Sequence, residues 1–533
     1  MPASPPAVDP AASGPAETPE RVIERLQAAC DAAPTAVEPR LALARALLLA
    51  RRPAEAVFPA EQAVALSPGA AAAAAVRDQV MAALQAGDPE LVRLELTSAL
   101  NPGDGAAQLA LGEAYAAHDR PMDAERHLKQ ALGLGFAREA NADLAALYLS
   151  VDMLEAAEHH AKAALGSPSA AGDETVAAMA CQALAGVAKA RGDEAEGERW
   201  LDQAYARQSV FRQAVPACPF TTLVLVTRTN GNVPYKTLLP PARFDFATWY
   251  MEHARAGQAA ALPPYAVVLN AIGEPDAAAA SAEAVEAFLG VNTRPVLNRP
   301  ERVQATARDR LGATLAGLTD VIMPITFRVA SADGAPERHL VLMQAHGLDF
   351  PVLIRPTGTH GGEGMMLAQG AGDLPTASPA GDRFITGFHD YRSADGFYRK
   401  YRMIFVDRRP HAYHLAISSH WMVHHQSAGM AQDLARQAEE LAFLRDPATA
   451  IGARALAAVA AIGERLDLDY GGIDFAVSAE GEVLVFEANA TMLTHLEPLG
   501  SPFIAKNAFV QPIIDAFQAH VARLAAAPEA VCN

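Results

Sequence analysis

Two carboxylates and an amide in the run DYGGIDFAVSAEGEVLVFEANATM, residues 469–492, have the types and spacing best suited to chemistry in this chain. Two apolar runs flank Ser478-Ala479-Glu480-Gly481, so the segment reads as an antiparallel hairpin. Asp474 enters its first strand and Glu487 lies near the end of its second, so their ends meet. Glu487 and Asn489 are two apart and project from one face, while Phe486 and Ala488 point to the other. Such oxygens are hard ligands suited to Mg²⁺, which keeps its remaining positions for water and phosphate. A solvated hairpin with chance acidic residues is the alternative. Burying an unpaired Asp and Glu among such apolar runs without a counter-cation is costly, which disfavours it.

A second group is FPVLIRPTGTHGGEGM, residues 350–365. A strand delivers Arg355 to a loop holding Gly358, Gly361, Gly362 and Gly364, where backbone N–H groups can close around phosphate oxygens. A Gly-rich surface loop is common by itself, and the strand-borne arginine just ahead of it strengthens the phosphate reading. His411, His414, His420, His424, His425 and His495 form a third group. A transition-metal site there is conceivable, but the spacing mixes strand with loop and assures no common face. Contact of His414, His424 or His495 with an anionic substrate ranks above metal binding, and ordinary packing ranks above both.

The elements that must position these residues change character along the chain. Residues 1–18 are Pro, Ala, Ser and Gly with few large apolar side chains and are expected to form a disordered tail. From there to about 212 the chain is Ala- and Leu-rich with apolar residues at helical spacing, so an all-helical half is expected. It also repeats. Pro53, Pro89, Pro121, Met153 and Asp193 each open a helix that closes on a related phrase, such as AEQAVALSPG at 60–69 or LKQALGLGFA at 128–137. With the phrases GEAY (112–115) and AERHLKQAL (124–132), this period resembles tetratricopeptide repeats, whose helix pairs must stack to bury their apolar faces.

At Pro216–Pro219 the pattern turns to short β-rich runs, TTLVLVTRT (221–229) and PYAVVLNAIG (264–273), followed by helical stretches at 275–290 and 303–318. That order predicts a parallel sheet with helices on its faces. Further strands are expected at HLVLM (339–343), FPVLIRP (350–356), YRMIFVD (401–407), IDFAVS (473–478) and VLVFEAN (483–489), with a helix near 430–466.

A cationic strand end, a Gly-rich loop, an arginine strand (Tyr401-Arg402-Met403-Ile404-Phe405) and a D…E-x-N hairpin, in this order, resemble the ATP-grasp superfamily. The ribosomal-protein glutamate ligase-like members are the particular resemblance. It implies a multidomain fold: tail 1–18, all-α TPR-like repeats 19–212, an α/β pre-ATP-grasp domain 213–305 and an α+β ATP-grasp domain 306–533. ATP and Mg²⁺ are the implied cofactors. Arg310, within PVLNRPERVQATARDRL (295–311), and Arg355 would touch phosphates beside the glycine loop. Arg402 would stabilise the transferring phosphoryl group, and Asp474, Glu487 and Asn489 would hold Mg²⁺. Phe388 and His389, within FITGFHDY (384–391), fall where the family's hinge holds adenine. The family commonly has lysine where this chain has Arg310 and Arg355; a guanidinium is a planar fork, where an ammonium is a point charge.

The resemblance implies transfer of the ATP γ-phosphoryl to a carboxylate, giving an acylphosphate for an amine or other nucleophile, with the repeat half recruiting a peptide or protein. Two alternatives stay open: a small-molecule kinase of the same fold, and a repeat scaffold with a nucleotide-sensing domain. Composition narrows the rest. A formal charge of −18, from 61 acidic and 43 basic residues, disfavours a general nucleic-acid or anionic-membrane partner. Cys30, Cys181, Cys218 and Cys532 are far apart with no C-x-x-C, which suggests reduced thiols. There is no signal-like N-terminus and no uninterrupted apolar span, so a soluble cytoplasmic protein is expected.

Overall fold

The structure, a computed structural model, describes residues 19–526 apart from 51, 87–88, 168–173, 216, 229, 334, 360–361, 376–380, 424–427 and 499–500. The expected tail 1–18, Gly361, His424, His425 and Cys532 lie outside the described residues. Two compact units divide the chain, one ending at Arg207 and the other beginning at Gln208. No helix among the described residues is long and apolar enough to cross a membrane.

Among the described residues, the first unit comprises the helices α1 (Pro19–Ala32), α2 (Val37–Leu49), α3 (Pro53–Leu66), α4 (Ala71–Ala86), α5 (Pro89–Leu100), α6 (Gly105–Ala117), α7 (Pro121–Gly133), α8 (Ala137–Ser150), α9 (Leu154–Gly166), α10 (Thr175–Ala190) and α11 (Glu194–Arg207). Pro53, Pro89 and Pro121 open α3, α5 and α7, where a missing N–H breaks no helical bond. α2 packs on α3, α6 on α7, α8 on α9 and α10 on α11. The repeat is visible in hydrogen bonds as well as in sequence. Tyr115 donates to Glu95 at 2.8 Å, and Tyr148, 33 residues later, donates to Glu125 at 2.7 Å. His127 meets Gln108 and His160 meets Asn141, both at 2.7 Å and again 33 residues apart. Gly112 lets α6 and α7 close together, since a Cβ there would lie 2.7 Å from the Leu128 side chain. The helical phrase expected at 201–210 stops at Arg207, and Val210 already belongs to the second unit's first strand. That moves the change of unit ahead of the composition shift at 212.

Three sheets build the second unit. The first comprises β1 (Val210–Gln213), β2 (Thr221–Val226), β3 (Asp245–Tyr250), β4 (Val267–Asn270) and β5 (Val296–Leu297), in spatial order β1-β3-β2-β4-β5. It is parallel except for β1, which pairs antiparallel with β3. The short α12 (Tyr235–Leu238) and α13 (Ala282–Leu289) come from its connections, and α14 (Pro300–Gln304) and α15 (Arg308–Thr314) follow it.

The second sheet is antiparallel, ordered β7-β10-β8-β9, from β7 (Thr326–Val329), β8 (Val352–Pro356), β9 (Met366–Ala368) and β10 (Arg383–Gly387). The expected strand at 339–343 is instead part of helix α16 (Pro336–Ala345). Pro336 starts that helix, and His339 and Met343, four apart, are its buried face while Leu340 and Val341 are exposed. A five-residue apolar run does not reveal its period, and here it is 3.6 rather than 2.

The third sheet is ordered β12-β11-β13-β14-β6, from β6 (Val321–Ile322), β11 (Tyr398–Val406), β12 (Arg409–Ser418), β13 (Tyr470–Val477) and β14 (Val483–Asn489). The single helix expected near 430–466 is broken twice: between α17 (Leu434–Arg445) and α18 (Pro447–Leu466), because Pro447 cannot continue α17 and Asp446 caps its successor, and within α18 at Gly452, whose φ is +83°. α18, α17 and the final α19 (Asn507–Ala525) pack on this sheet. Its apolar side chains, among them Tyr401 and Phe475, join Phe517 of α19 and Val224, Phe246 and Leu269 of the first sheet in one core.

Candidate active site

The centre of the third sheet carries a row of polar side chains across four strands. Arg402 on β11 pairs in register with His414 on β12 and with Asp474 on β13, and Asp474 pairs with Glu487 on β14. Directly opposed residues share a face, so this row is one line of neighbouring side chains. Two like charges in cross-strand register repel. Each carboxylate therefore has its own cation: Arg402 grips Asp474 with Nε at 2.6 Å and Nη2 at 3.0 Å, Lys400 reaches it at 3.0 Å, and Arg308 pairs with Glu487.

Burial would raise the Asp474 carboxyl, but Arg402 and then Lys400 hold it well below the usual range. Glu487 is likewise held low against its burial, chiefly by Arg308. Both are ionised at neutral pH.

A cleft of about 1000 Å³, its open mouth included, lies over the Asp474–Glu487 end of this row. Arg308, Arg355, Lys400, Asp474 and Glu487 line its polar end, with Gly362 of the glycine loop in left-handed conformation beside them. The other end is apolar and aromatic. Phe388 and Trp421 meet edge to face with ring centroids 5.7 Å apart, Tyr391 and Phe486 lie 4.8 Å apart, and Leu353, Met365 and Met422 line the same cleft. His389 also lines this end. Such a slot takes a flat heteroaromatic ring by stacking and apolar contact. Strict strand alternation predicts Phe486 on the face away from Glu487. A β-bulge breaks it: the register passes from Asp474–Glu487 to Phe475–Val485, leaving Phe486 as the extra residue, and both Phe486 and Glu487 line the cleft.

An adjoining cavity of about 500 Å³, measured in the same way, shares Arg308 and Arg355 with the first and is completed by Gly358, Thr359, Asn489, Arg328 and the acids Glu274 and Asp276. Arg355 stands between the two. Its Nη2 donates to the Thr359 carbonyl of the glycine loop, while its buried Nε has no acceptor among the described residues. Burial, and then Arg308, push its pKa down to about 10, so the charged side chain is held in a place that disfavours it. An anion bound between the cavities relieves both deficits.

The structure moves one expected residue out of this group. Arg310 is exposed on α15 and lines neither cavity, whereas Arg308, two residues earlier, lines both. Residues two apart on a helix face directions about 200° apart, so only one of them can meet Glu487. Arg402 lines neither cavity and acts on Asp474, and Lys400 is the β11 cation that reaches the cleft. Gly358 lines the second cavity; Gly364 lines neither, although it too has a left-handed φ. Lys400 and Arg402 are two apart on one strand, a period-two signal present in the sequence; Trp421 and Tyr391 carried no such signal.

Asp474, Glu487 and the amide oxygen of Asn489 are an all-oxygen donor set without thiol or imidazole, which fits Mg²⁺. Asn489 Oδ1 accepts from the Thr491 N–H at 3.0 Å, which fixes the amide orientation. The described histidines of that group have separate partners: His414 bonds Glu440 at 2.6 Å, His495 approaches the Tyr413 hydroxyl at 3.2 Å, and His420 accepts from the Met422 N–H at 3.2 Å. Among the described residues, Asp407, Asp469 and His520 are close enough to share a metal, but His520 bonds Asp469 at 2.7 Å and Arg523 bonds Asp407 at 2.7 Å.

No family model and no curated protein sequence matches the chain. Among solved structures it is similar to carboxyaminoimidazole ribonucleotide synthase from Aspergillus clavatus complexed with ATP, at 11% identity over 55% of this chain and 77% of that one, with a TM-score of 0.35. It is similar to the ATP-grasp ligase PsnB complexed with precursor peptide PsnA2 and AMPPNP, at 13% identity over 58% and 99% of the two chains, also with a TM-score of 0.35. YrrB, a TPR protein with an unusual peptide-binding site, matches at 19% identity over 35% and 93%, with a TM-score of 0.20.

Proposed function

We propose that the unit beginning at Gln208 is an ATP-dependent ligase of the ATP-grasp class, which activates a carboxylate as an acylphosphate for attack by an amine or another nucleophile. The observation that carries this reading is the junction of an aromatic slot with a cationic cavity at Arg355, whose buried Nε awaits an anion. Phe388, His389, Tyr391 and Trp421 would hold the base. Arg308, Arg355 and the loop backbone around Gly358 and Gly362 would take the phosphates. Lys400 would meet charge developing on the transferring phosphoryl group, and Arg402 would keep Asp474 ionised and oriented. Asp474, Glu487 and Asn489 would hold Mg²⁺, which when bound neutralises phosphate charge. Positioning and charge neutralisation suffice for such a transfer.

In the proposed reaction the acceptor carboxylate oxygen attacks the γ-phosphorus and ADP leaves. The nucleophile then attacks the acyl carbon, loses its proton and expels phosphate. The helical unit would recruit a peptide or protein bearing one of these groups.

The test is ADP release from the full chain supplied with pooled acids and amines, followed by hydroxylamine trapping. A hydroxamate made only with ATP, Mg²⁺ and an acid supports ligase chemistry. ADP formation that yields a phosphate ester and no hydroxamate would assign kinase chemistry to the same site. ADP release unchanged in Glu487→Gln would remove the site altogether.

A further inference from the structure

The carboxylates that would hold Mg²⁺ already hold cations of the chain. Asp474 gives Oδ1 to Arg402 at 2.6 Å and Oδ2 to both Arg402 and Lys400 at 3.0 Å. Glu487 differs. Among the described residues its ion-pair partner is Arg308, whose Nη2 donates to Oε2. One carboxylate holding Arg308 and a divalent cation together would set three positive charges side by side in a partly buried place, where they are weakly screened. Arg308 is thus given two roles, a partner of Glu487 and a contact for phosphate, and it cannot fill both at once.

Its position allows it to fill them in turn. Arg308 opens α15, so the helix fixes its backbone while the side chain extends from the helix end. That side chain is 26% exposed and lines both cavities, as Arg355 does. Among the described residues Glu487 is the hydrogen-bond acceptor that holds the guanidinium. A long side chain held at one point changes acceptor by changing rotamer, with no movement of the helix. Asp474 is otherwise placed: if Lys400 leaves it, Arg402 remains.

We propose that Arg308 is a stand-in cation, which occupies Glu487 until a phosphate chain enters between the cavities and then moves to the phosphate oxygens, freeing Glu487 for the metal that arrives with them. The inference rests on the proposed roles of Glu487 and of the two cavities, and it goes further in making the entry of metal and nucleotide interdependent. Without nucleotide, Arg308 has no anion to leave for, and a bare divalent cation is refused. Without metal, the departure of Arg308 leaves Glu487 uncompensated beside the incoming phosphates, and bare nucleotide binds poorly. The complex of the two satisfies every charge. Such coupling is reciprocal, so each raises the affinity of the other.

Two binding measurements on the full chain test this, and neither requires an acceptor or turnover. Mn²⁺, which favours the same oxygen ligands as Mg²⁺, is titrated without nucleotide and read by electron paramagnetic resonance. Arg308→Met is expected to bind it about tenfold more tightly than the parent, and Arg308→Met combined with Glu487→Gln should lose that gain. Arg355→Met removes an equal charge from the same junction but not from Glu487, and should stay within about twofold of the parent. ATP titrated calorimetrically in EDTA should bind Glu487→Gln about tenfold more tightly than the parent, although the variant has lost a metal ligand. The stand-in role is overturned if Arg308→Met binds Mn²⁺ no more tightly, if Arg355→Met tightens it equally, or if Glu487→Gln gains nothing for ATP in EDTA. A parent that binds Mn²⁺ with ATP and shows none of these shifts loses the stand-in role alone. One that binds neither loses the nucleotide site, and this inference with it.

Discussion

Replacing Arg355 by methionine should make the protein more stable and less able to bind nucleotide. The side chain occupies the boundary of two cavities, with one N–H given to Thr359 and another left without an acceptor. Its pKa is pushed from 12.5 down to about 10, first by burial and then by Arg308. Because the folded value lies below the unfolded one, the charged form opposes folding at every pH below about 10, and the penalty fades only as the pH rises through both values. That displacement corresponds to roughly 3 kcal/mol, which solvent screening of a partly exposed side chain reduces to about 1.5–3 kcal/mol.

Methionine keeps the apolar stem and removes the charge, so Arg355→Met should raise the melting temperature of the nucleotide-free chain by a few degrees. The variant also loses a phosphate contact worth about 2 kcal/mol, so the further rise on adding ATP and Mg²⁺ should shrink by a similar amount. Thermal melts with and without ATP and Mg²⁺, paired with ADP release, read both effects. If Arg355→Met melts lower than the parent without nucleotide and keeps the full ATP-induced shift, Arg355 is an ordinary structural cation and the phosphate reading of both cavities fails.

Four further outcomes are expected. Arg308→Ala should lower kcat/KM for ATP about 100-fold, while Arg310→Ala, exposed and outside both cavities, should stay within about twofold. Glu487→Gln should weaken the response of ADP release to Mg²⁺ by about 10- to 100-fold, seen in a magnesium titration. Glu440 is buried against His414 and Lys506, and although burial raises its carboxyl, those partners hold it down at about 2. Its contribution of about 3 kcal/mol is present above the unfolded pKa and is lost as pH falls through about 2, so denaturant midpoints of Glu440→Gln and the parent should differ at pH 7 and converge near pH 2. Gly112→Val should cost the helical unit about 1–3 kcal/mol by overpacking against Leu128, seen as an earlier melting step with ADP release unchanged.

The sequence made some of this legible and concealed the rest for identifiable reasons. The 469–492 hairpin could be read because two apolar runs and a turn fix its register, which brings Asp474 opposite Glu487. The repeat could be read because helix-opening prolines and closing phrases recur, and the bonds from Tyr115 and Tyr148 recur with them. Arg308 could not be told from Arg310, since the choice depends on the phase of a seven-residue helix whose start only the fold sets. The bulge at Phe486 inserts one residue opposite no partner, a change invisible to alternation. Lys400 shares a strand face with Arg402, but its pairing with Asp474 requires the β11–β13 register, which joins segments about seventy residues apart. The aromatic slot draws on β10, β14 and the segment after β12, and no local pattern unites those.

The charge balance of the site explains why an arginine stands where an ammonium would also attract phosphate. Asp474 is matched by Arg402 and Lys400, and Glu487 by Arg308, so the row sets three cations against two carboxylates. Among the described residues Arg355 forms no ion pair with a carboxylate; it bonds a backbone carbonyl of the glycine loop. Arg355 adds a further positive charge to that row, and it also holds the loop. A guanidinium can do both at once, because its fork offers separate N–H groups at fixed angles, one for Thr359 and one for an incoming oxygen. A lysine offers a single mobile centre, so holding the loop and meeting the phosphate would draw on the same point charge. Arg355 therefore couples loop position to anion binding: an oxygen bound at Nε fixes the guanidinium plane, and that plane fixes the loop through Nη2.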